Sequence, residues 1–314
     1  MTDDVITQDN NPPNDPETRC GFVAIVGAPN AGKSTLVNRL VGTKVSIVSP
    51  KVQTTRSRVL GIAMDDEFAA QVIFIDTPGI FQPKKRIERA MVHAAWSGAS
   101  DADLIVLVVD AERGLNEDAR LIIEKLKETQ RRAVLALNKI DLVKRDSLLA
   151  LTAELDGFGI FDKVFMISAE KGDGTADLLR YFVSLVPEGP WHFPEDQVSD
   201  MPMRLLAAEI TREQIFRQLH QELPYSAAVE TDQWEERDDG SVRIDQTVFV
   251  QREGQKAIVL GKHGRQIKTI GEKARIELEE MLERRVHLFL HVKVRENWLE
   301  ERSHYRDMGL EFDV

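Results

Sequence analysis

A single cysteine, Cys20, is all that the 314 residues contain, and one thiol builds neither a disulfide framework nor a thiolate metal cluster. That points to a reducing compartment, the cytoplasm. Seven histidines are scattered along the chain without the spacing of metal ligands. No apolar run approaches the roughly 18 residues that a membrane-spanning helix requires. Positive charge is in deficit: 41 Lys and Arg stand against 52 Asp and Glu, a net charge of -11. Such a balance excludes wholesale electrostatic adhesion to nucleic acid, but not a local basic patch. The opening stretch MTDDVITQDNNPPNDPETR is acidic and has no apolar centre, so it does not read as a signal peptide. Residues 1–20 are expected to form a disordered acidic tail, because they offer too little apolar surface to offset the entropy of ordering.

What is present is the composition of an ordinary globular protein, 42% hydrophobic and 30% charged, at a length that suits two domains. From Gly21 the apolar runs FVAIVG, QVIFID, DLIVLVVD, RAVLALNK and KVFMIS alternate with helix-patterned stretches such as KSTLVNRLVG, NEDARLIIEKLKET and TADLLRYFVSLV. Continuous apolar strands alternating with amphipathic helices predict an α/β domain over 21–186, with a mostly parallel sheet covered on both faces. The rhythm stops at residues 187–202, PEGPWHFPEDQVSDMP, where four prolines lie among acids; this reads as a linker. Over 203–314 the order becomes helix, strand, strand, helix, turn, helix, strand, an α+β arrangement. Leu205, Ile210 and Leu219 are expected on the buried face of its first helix. Val286, Leu288, Leu290, Val292 and Val294 alternate along its last strand.

Four strand-end segments carry candidate chemistry in the first domain. GAPNAGKS follows a strand and opens a helix, the context that a phosphate-binding loop needs. Its backbone from Gly27 through Ala28, Pro29, Asn30, Ala31 and Gly32 would surround phosphates with N–H groups. Lys33 would reach the β- and γ-phosphates, the Ser34 hydroxyl would coordinate Mg²⁺, and Thr35 continues the helix N-terminus. DTPG supplies Asp76, a carboxylate placed to hold Mg²⁺ through water, then Thr77, Pro78 and Gly79, whose N–H can meet the γ-phosphate. NKID supplies Asn138, Lys139, Ile140 and Asp141. A fixed carboxylate at Asp141 accepts both donors of the guanine edge, N1–H and the 2-amino group; adenine offers neither, so a polar mismatch of this kind discriminates strongly. Asn138 suits the other edge of the base and the Lys139 stem can cover its face. SAE supplies Ser168, Ala169, with its N–H directed at guanine O6, and Glu170. These motifs in this order predict a site for GTP or GDP.

The first domain thereby resembles GTPases of the translation-factor-related class, from Gly21 to about Pro187. That resemblance implies a threonine-bearing switch where VQTTRSR stands. Either Thr54 or Thr55 could complete the Mg²⁺ shell, and the resemblance favours Thr55. It also exposes a departure: Ras-like enzymes place a water-orienting glutamine after the DTxG glycine, and this chain has Ile80. Asn30 matches the asparagine with which related GTPases hold a potassium ion near the phosphates; a turn residue is its other reading. Lys33, Thr55, Gly79 and Asn30 are therefore the candidate catalytic set, and Ser34, Thr55 and Asp76 the metal set.

In the second domain the segment GKHG, Gly261, Lys262, His263 and Gly264, sits between two helices. The element order around it resembles a type II KH domain, a module that clamps the backbone of a single-stranded nucleic acid on a GxxG loop. Arg252 to Arg275 holds seven Lys and Arg against two Glu, a local excess of positive charge on an acidic chain. Ile267, Ile270, Ala274, Leu278 and Met281 fall on the core face of the helix after the loop, and Arg265, Lys268 and Lys273 lie off it. The candidate RNA contacts are Gly261, Lys262, His263, Gly264, Arg265 and Lys268. Both domains together resemble the Era family of bacterial ribosome-assembly GTPases. The resemblance implies binding to the 3′ region of small-subunit ribosomal RNA in a precursor of the small ribosomal subunit, a monomer, and peripheral contact with the inner membrane. Two readings stay open: a GTP-hydrolysing assembly switch, or an RNA-binding protein whose nucleotide turnover is too slow to matter.

Overall fold

The computed structural model describes residues 18–51, 54–219, 223–296, 298 and 301–314. The tail expected over 1–20 falls outside these for 1–17, and so do Val52 and Gln53 of the switch segment. The expected boundary moves at its other end, because Arg19 and Cys20 already belong to the first strand.

The first unit contains β1 (Arg19–Gly27), α1 (Lys33–Val41), β2 (Val59–Asp65), β3 (Ala70–Asp76), α2 (Arg86–Asp101), β4 (Leu104–Asp110), α3 (Glu117–Glu128), β5 (Ala133–Asn138), α4 (Arg145–Asp156), β6 (Phe161–Met166) and α5 (Thr175–Leu185). Its sheet has the order β2-β3-β1-β4-β5-β6. All neighbours run parallel except β2 and β3. Because helices cover both faces, the strands are apolar on both: Val23, Ala24, Ile25 and Val26 are all fully buried. Parallel register brings the C-terminal ends of β1, β3, β4, β5 and β6 to one edge of the sheet, with Asp110 directly beside Asn138. Strand order reverses around β1, and a ligand crevice opens at such a point.

Residues 187–202 connect the two units, but they lie along the sheet rather than hang from it. The Gln71 side chain, fully buried in β3, accepts from His192 N at 2.9 Å and Phe193 N at 3.1 Å. Its amide donates to Phe193 O at 2.8 Å. Further on, Ile62 N donates to Val198 O and the Ser199 hydroxyl to Leu60 O.

The second unit runs α6 (Met203–Gln218), β7 (Ala228–Glu236), β8 (Val242–Val250), α7 (Glu253–Leu260), α8 (Arg265–Leu282), β9 (Val286–Val294) and α9 (Arg302–Asp307). Its sheet has the order β7-β8-β9, with β8 and β9 parallel. The helix–turn–helix of α7 and α8 brings Ile270, Ala274 and Leu278 onto the sheet, as the periodicity requires. Helix α6 departs from expectation. Leu205 is 40% exposed, while Thr211, Arg212, Glu213 and Gln214 are buried. The helix has the second sheet on one side, where Thr211 donates to Gln246 Oε1, and residues 44–56 of the first unit on the other. A helix buried between two units has no single apolar stripe.

Candidate functional site

The phosphate-binding loop connects β1 to α1 through two left-handed residues. Asn30 has φ 64° and Gly32 has φ 98°. At Gly32 a Cβ would lie 2.2 Å from Asn138 Nδ2, so glycine is required by both torsion and space. Lys33 Nζ folds back over the loop and donates to Gly27 O at 3.1 Å and Ala28 O at 3.0 Å. Burial pushes its pKa down to about 8, because a low-polarity site disfavours the charged amine.

Asp76, at the end of β3, is fully buried. Its Oδ2 accepts from Ser34 Oγ at 2.7 Å and Ser46 Oγ at 2.6 Å. Its Oδ1 has no hydrogen-bond partner. Burial raises its pKa, against the lowering effects of those hydroxyls and Lys33. Thr55 Oγ1 lies 2.8 Å from Ser34 Oγ. Two adjacent oxygens on an octahedral Mg²⁺, with bonds of 2.0–2.1 Å, are separated by about 2.9 Å. The two hydroxyls and the orphaned carboxylate oxygen therefore fit a hard divalent cation. Between the two candidate threonines the geometry separates clearly: Thr54 Oγ1 bonds Ser49 Oγ and Lys51 O instead.

The structure gives Ile80 a different place from the rest of its motif. Its N–H donates to Gly27 O, and its side chain is fully buried in the core beneath the sheet. It contributes nothing to the cleft wall but its backbone. Asn30 donates from Nδ2 to Pro50 O at 2.9 Å, tying the phosphate loop to the switch segment. The cleft between these elements has a volume of about 300 Å³ and is lined by Pro29, Lys33, Ser34, Thr55, Gly79 and Lys139, among others.

At the base-binding end, Asn138 spends both ends of its amide on protein. Nδ2 donates to Ala31 O at 2.8 Å, and Oδ1 accepts from Ala169 N at 2.9 Å. It braces the phosphate loop against the last loop, and the Ala169 N–H expected at guanine O6 points to Asn138 here. Lys139 has φ 66° and donates to Asp110 Oδ2 at 2.6 Å, which spreads its stem along one side of the opening. Asp141 remains partly open, with a side-chain exposure of 13% and Lys171 Nζ at 3.5 Å. The Ser168 hydroxyl, and secondarily Lys171, hold its carboxyl below the usual range. It is an ionised acceptor at neutral pH.

Three contributors escaped the motifs. Ser46 caps the metal-facing carboxylate, Asp110 positions Lys139, and Arg113 lines the cleft. Asp110 and Arg113 lie at a strand end, after the apolar run DLIVLVVD, so that position was their only available signal.

In the second unit Gly261 ends α7 with φ 69°. A Cβ there would lie 2.6 Å from Gln266 Cβ. Lys262 to Gly264 form one 3-10 turn in which His263 takes φ 54°. Lys262, His263, Arg265 and Lys268 are all exposed. Beside the turn, α8 and the edge strand β9 enclose a groove lined by Ile267, Gly271, Arg275, Leu288, Phe289 and Leu290, among others. Phe289 is 45% exposed, with the Arg243 guanidinium 5.0 Å from its ring centroid. Basic donors at the turn and apolar faces in the groove suit a backbone-plus-base ligand; the groove residues carried no motif and were not anticipated.

Comparison with known proteins agrees with this two-part site. Residues 22–139 match the family model described as 50S ribosome-binding GTPase, and residues 222–299 match that of the KH domain. The chain is 58% identical to GTPase Era of Agrobacterium fabrum over 98% of both chains. It is similar to the crystal structure of Era in complex with MgGDPNP and nucleotides 1506–1542 of 16S ribosomal RNA, with a TM-score of 0.88 and 39% identity over 95% of this chain and all of that one. The same TM-score, identity and coverage are found against a variant of Aquifex aeolicus Era bound to GDP·AlF4⁻.

Lys33 supplies a pH test. The amine meets a phosphate as the ammonium, and the empty-site pKa is about 8, so binding above that pH must take up a proton. Affinity is then full below pH 8 and falls as pH rises past it. Between pH 7 and pH 9 the affinity for GDP should drop about tenfold, read by titration calorimetry or fluorescent-nucleotide binding. Constant affinity over that range would remove the Lys33 proton from the account.

Proposed function

The chain belongs to the Era family of GTPases, and from that premise we propose that it is a GTP-hydrolysing switch that grips single-stranded ribosomal RNA and assists assembly of the small ribosomal subunit. The observation that carries this is the convergence of four strand-end motifs on a cleft whose buried Asp76 keeps one oxygen unpaired, in a chain that also presents an exposed basic GKHG turn. The 16S segment held by the structural neighbour supports the small subunit. The family model whose description names 50S covers residues 22–139, which exclude the RNA-binding unit.

Hydrolysis needs water to attack the γ-phosphorus while the bond to the β–γ bridging oxygen breaks, releasing GDP and phosphate. Lys33 compensates charge on the β- and γ-oxygens, and Gly79 offers its N–H to the γ-phosphate. Mg²⁺ on Ser34 and Thr55, with Asp76 behind it, would neutralise the developing charge. No side chain stands at the Ile80 position to orient water, because that side chain lies in the core. Catalysis therefore rests on charge compensation and positioning, and intrinsic turnover is slow. The match of Asn30 to the family asparagine supports potassium as the additional charge near the phosphates. Resemblance also supports a cytoplasmic monomer with peripheral inner-membrane contact. No helix among the described residues is long and apolar enough to cross a membrane, so such contact is superficial.

Asp141→Asn should exchange guanine for xanthine, since the Asn amide can donate to the 2-oxo group that a carboxylate repels. Competition between GTP and XTP reads the outcome, and retained GTP preference would remove Asp141 from base recognition. In the same hydrolysis assay K⁺ should outperform Na⁺ at equal ionic strength, with Asn30→Ala erasing the difference. A wild type indifferent to the cation would leave Asn30 as a turn residue.

The RNA claim is tested by replacing Lys262 and His263 together with Asp. Each lost phosphate contact should lower the salt slope of single-stranded RNA binding by about 0.7. The glycines remain, so thermal unfolding and GTP affinity should change little, while any RNA stimulation of hydrolysis should vanish. Undiminished RNA binding by a folded double variant would make the turn a mere corner.

A further inference from the structure

Three consecutive residues of the switch segment face three different elements. The Thr54 carbonyl accepts from Arg212 Nη2, on α6, at 2.6 Å. The Thr55 hydroxyl stands 2.8 Å from Ser34 in the cation cluster. Arg56 points the other way and is 7% exposed. Its guanidinium donates to Ala227 O at 3.0 Å, Pro224 O at 3.2 Å and Tyr225 O at 2.9 Å, three backbone carbonyls of the turn that leads into β7. The rings of Phe216 and Trp298 lie 5.9 Å from it. A residue of the nucleotide-sensing segment thus serves as a structural plug of the RNA-binding unit.

Neighbouring contacts repeat the pattern. Lys44 pairs with Glu213 and Glu277, Lys51 donates to the carbonyls of Phe216 and Leu219, and Arg217 donates to Val48 O at 3.1 Å. The second tie between the units is on α2, six residues beyond Ile80, where Ala90 and Met91 pack against Tyr305 and Leu310. Both ties start from segments that flank the γ-phosphate position. The plug is also poorly balanced in charge. Arg56 and Arg212 are both buried, Arg212 Nη1 has no hydrogen-bond partner, and Glu209 is the carboxylate that Arg212 pairs with. Burial, and then the neighbouring Arg212, press the Arg56 pKa down to about 9. Two buried guanidiniums sharing one carboxylate make a docked state that is specific but inexpensive to leave.

We propose that Arg56 is a positioning residue that couples the γ-phosphate to domain orientation: with Thr55 engaged at the phosphate cleft, Arg56 holds the RNA-binding unit in the orientation seen here, and loss of the γ-phosphate frees both. The proposal rests on the GTP-binding reading above and does not depend on the RNA reading. The backbone between Thr55 and Arg56 is a single peptide unit, so a switch segment that leaves the cleft cannot keep its guanidinium in the 224–227 turn. The docked orientation belongs to the triphosphate state.

Interdomain energy transfer tests this on the full chain. Dyes are attached at Ser147→Cys and Asp238→Cys, both exposed positions on different units, while the buried Cys20 stays unlabelled. The wild-type background should show one narrow distance with a non-hydrolysable GTP analogue and a shifted or broadened one with GDP. Arg56→Ala and Arg56→Lys should both abolish that difference, since an ammonium cannot cap three carbonyls as the planar fork does. By reciprocity, the affinity ratio of analogue to GDP should fall in the same variants by the coupling factor, at least about fivefold; a merely structural role would not move it. Arg212→Gln, which cuts the Thr54 contact from the opposite side, should reduce the response likewise and decides the matter if Arg56→Ala does not fold. Tight analogue binding with identical distances in both nucleotide states would overturn the coupling and leave the GTP reading intact. A folded Arg56→Ala with the wild-type response would overturn it as well. Failure to bind either nucleotide would overturn the GTP reading and the coupling together.

Discussion

The buried carboxylate of Asp76 is the constraint on which the nucleotide-binding unit is organised. It ends β3 in the middle of the sheet and is shielded from water on every side. A charge in that position is costly unless it is paired, and the protein pairs it incompletely, with hydroxyls on one oxygen and nothing on the other. Those hydroxyls come from α1 and from the segment that follows it, and Ser34 passes the connection on to Thr55. One carboxylate therefore fixes the relative positions of the phosphate loop, the switch and the strand behind them. The desolvation that raises its pKa is relieved when a cation takes the free oxygen, so binding and local stability draw on the same interaction.

Backbone strain marks the same places as the chemistry. Asn30, Lys139 and His263 all adopt positive φ without being glycine, and each lies inside one of the motifs: phosphate loop, base-recognition turn, GKHG. A left-handed side-chain residue costs of order 1–3 kcal/mol, and surrounding contacts must hold it there. For Asn30 the contact is the Pro50 carbonyl, and for Lys139 it is Asp110. His263 has a glycine on each side, which leaves its side chain standing out from the turn where a phosphate backbone could approach.

Much of this was legible in the sequence because the decisive features are local. GAPNAGKS, DTPG, NKID and GKHG each complete their geometry within a few residues, and strand ends in a parallel sheet bring them together without further instruction. The order of elements in the second unit was equally readable, since Ile270, Ala274 and Leu278 repeat at the helical period. Interactions across long sequence separations were not. Ser46 reaches Asp76 across 30 positions and Asp110 reaches Lys139 across 29, with no pattern to announce either. Helix α6 was misread at Leu205 because amphipathicity presumes one wet face, and this helix is covered on two sides. Arg19 and Cys20 were assigned to the tail because β1 begins before its apolar run does.

The polar residues buried on α6 are the informative failure. Thr211, Arg212, Glu213 and Gln214 would be out of place on a helix facing only its own sheet, and a purely apolar seam could have joined the units more firmly. Replacing buried ion pairs with hydrocarbon often leaves stability unchanged or raises it. Polar seams are geometrically demanding, however: Lys44 must reach two carboxylates at once, and Arg56 three carbonyls. Contacts of this kind are lost outright by a small displacement, whereas apolar contacts slide. An interface built from them has a defined docked geometry and a low threshold for release. That combination is required when a few ångströms of movement at a phosphate must be felt by a whole domain.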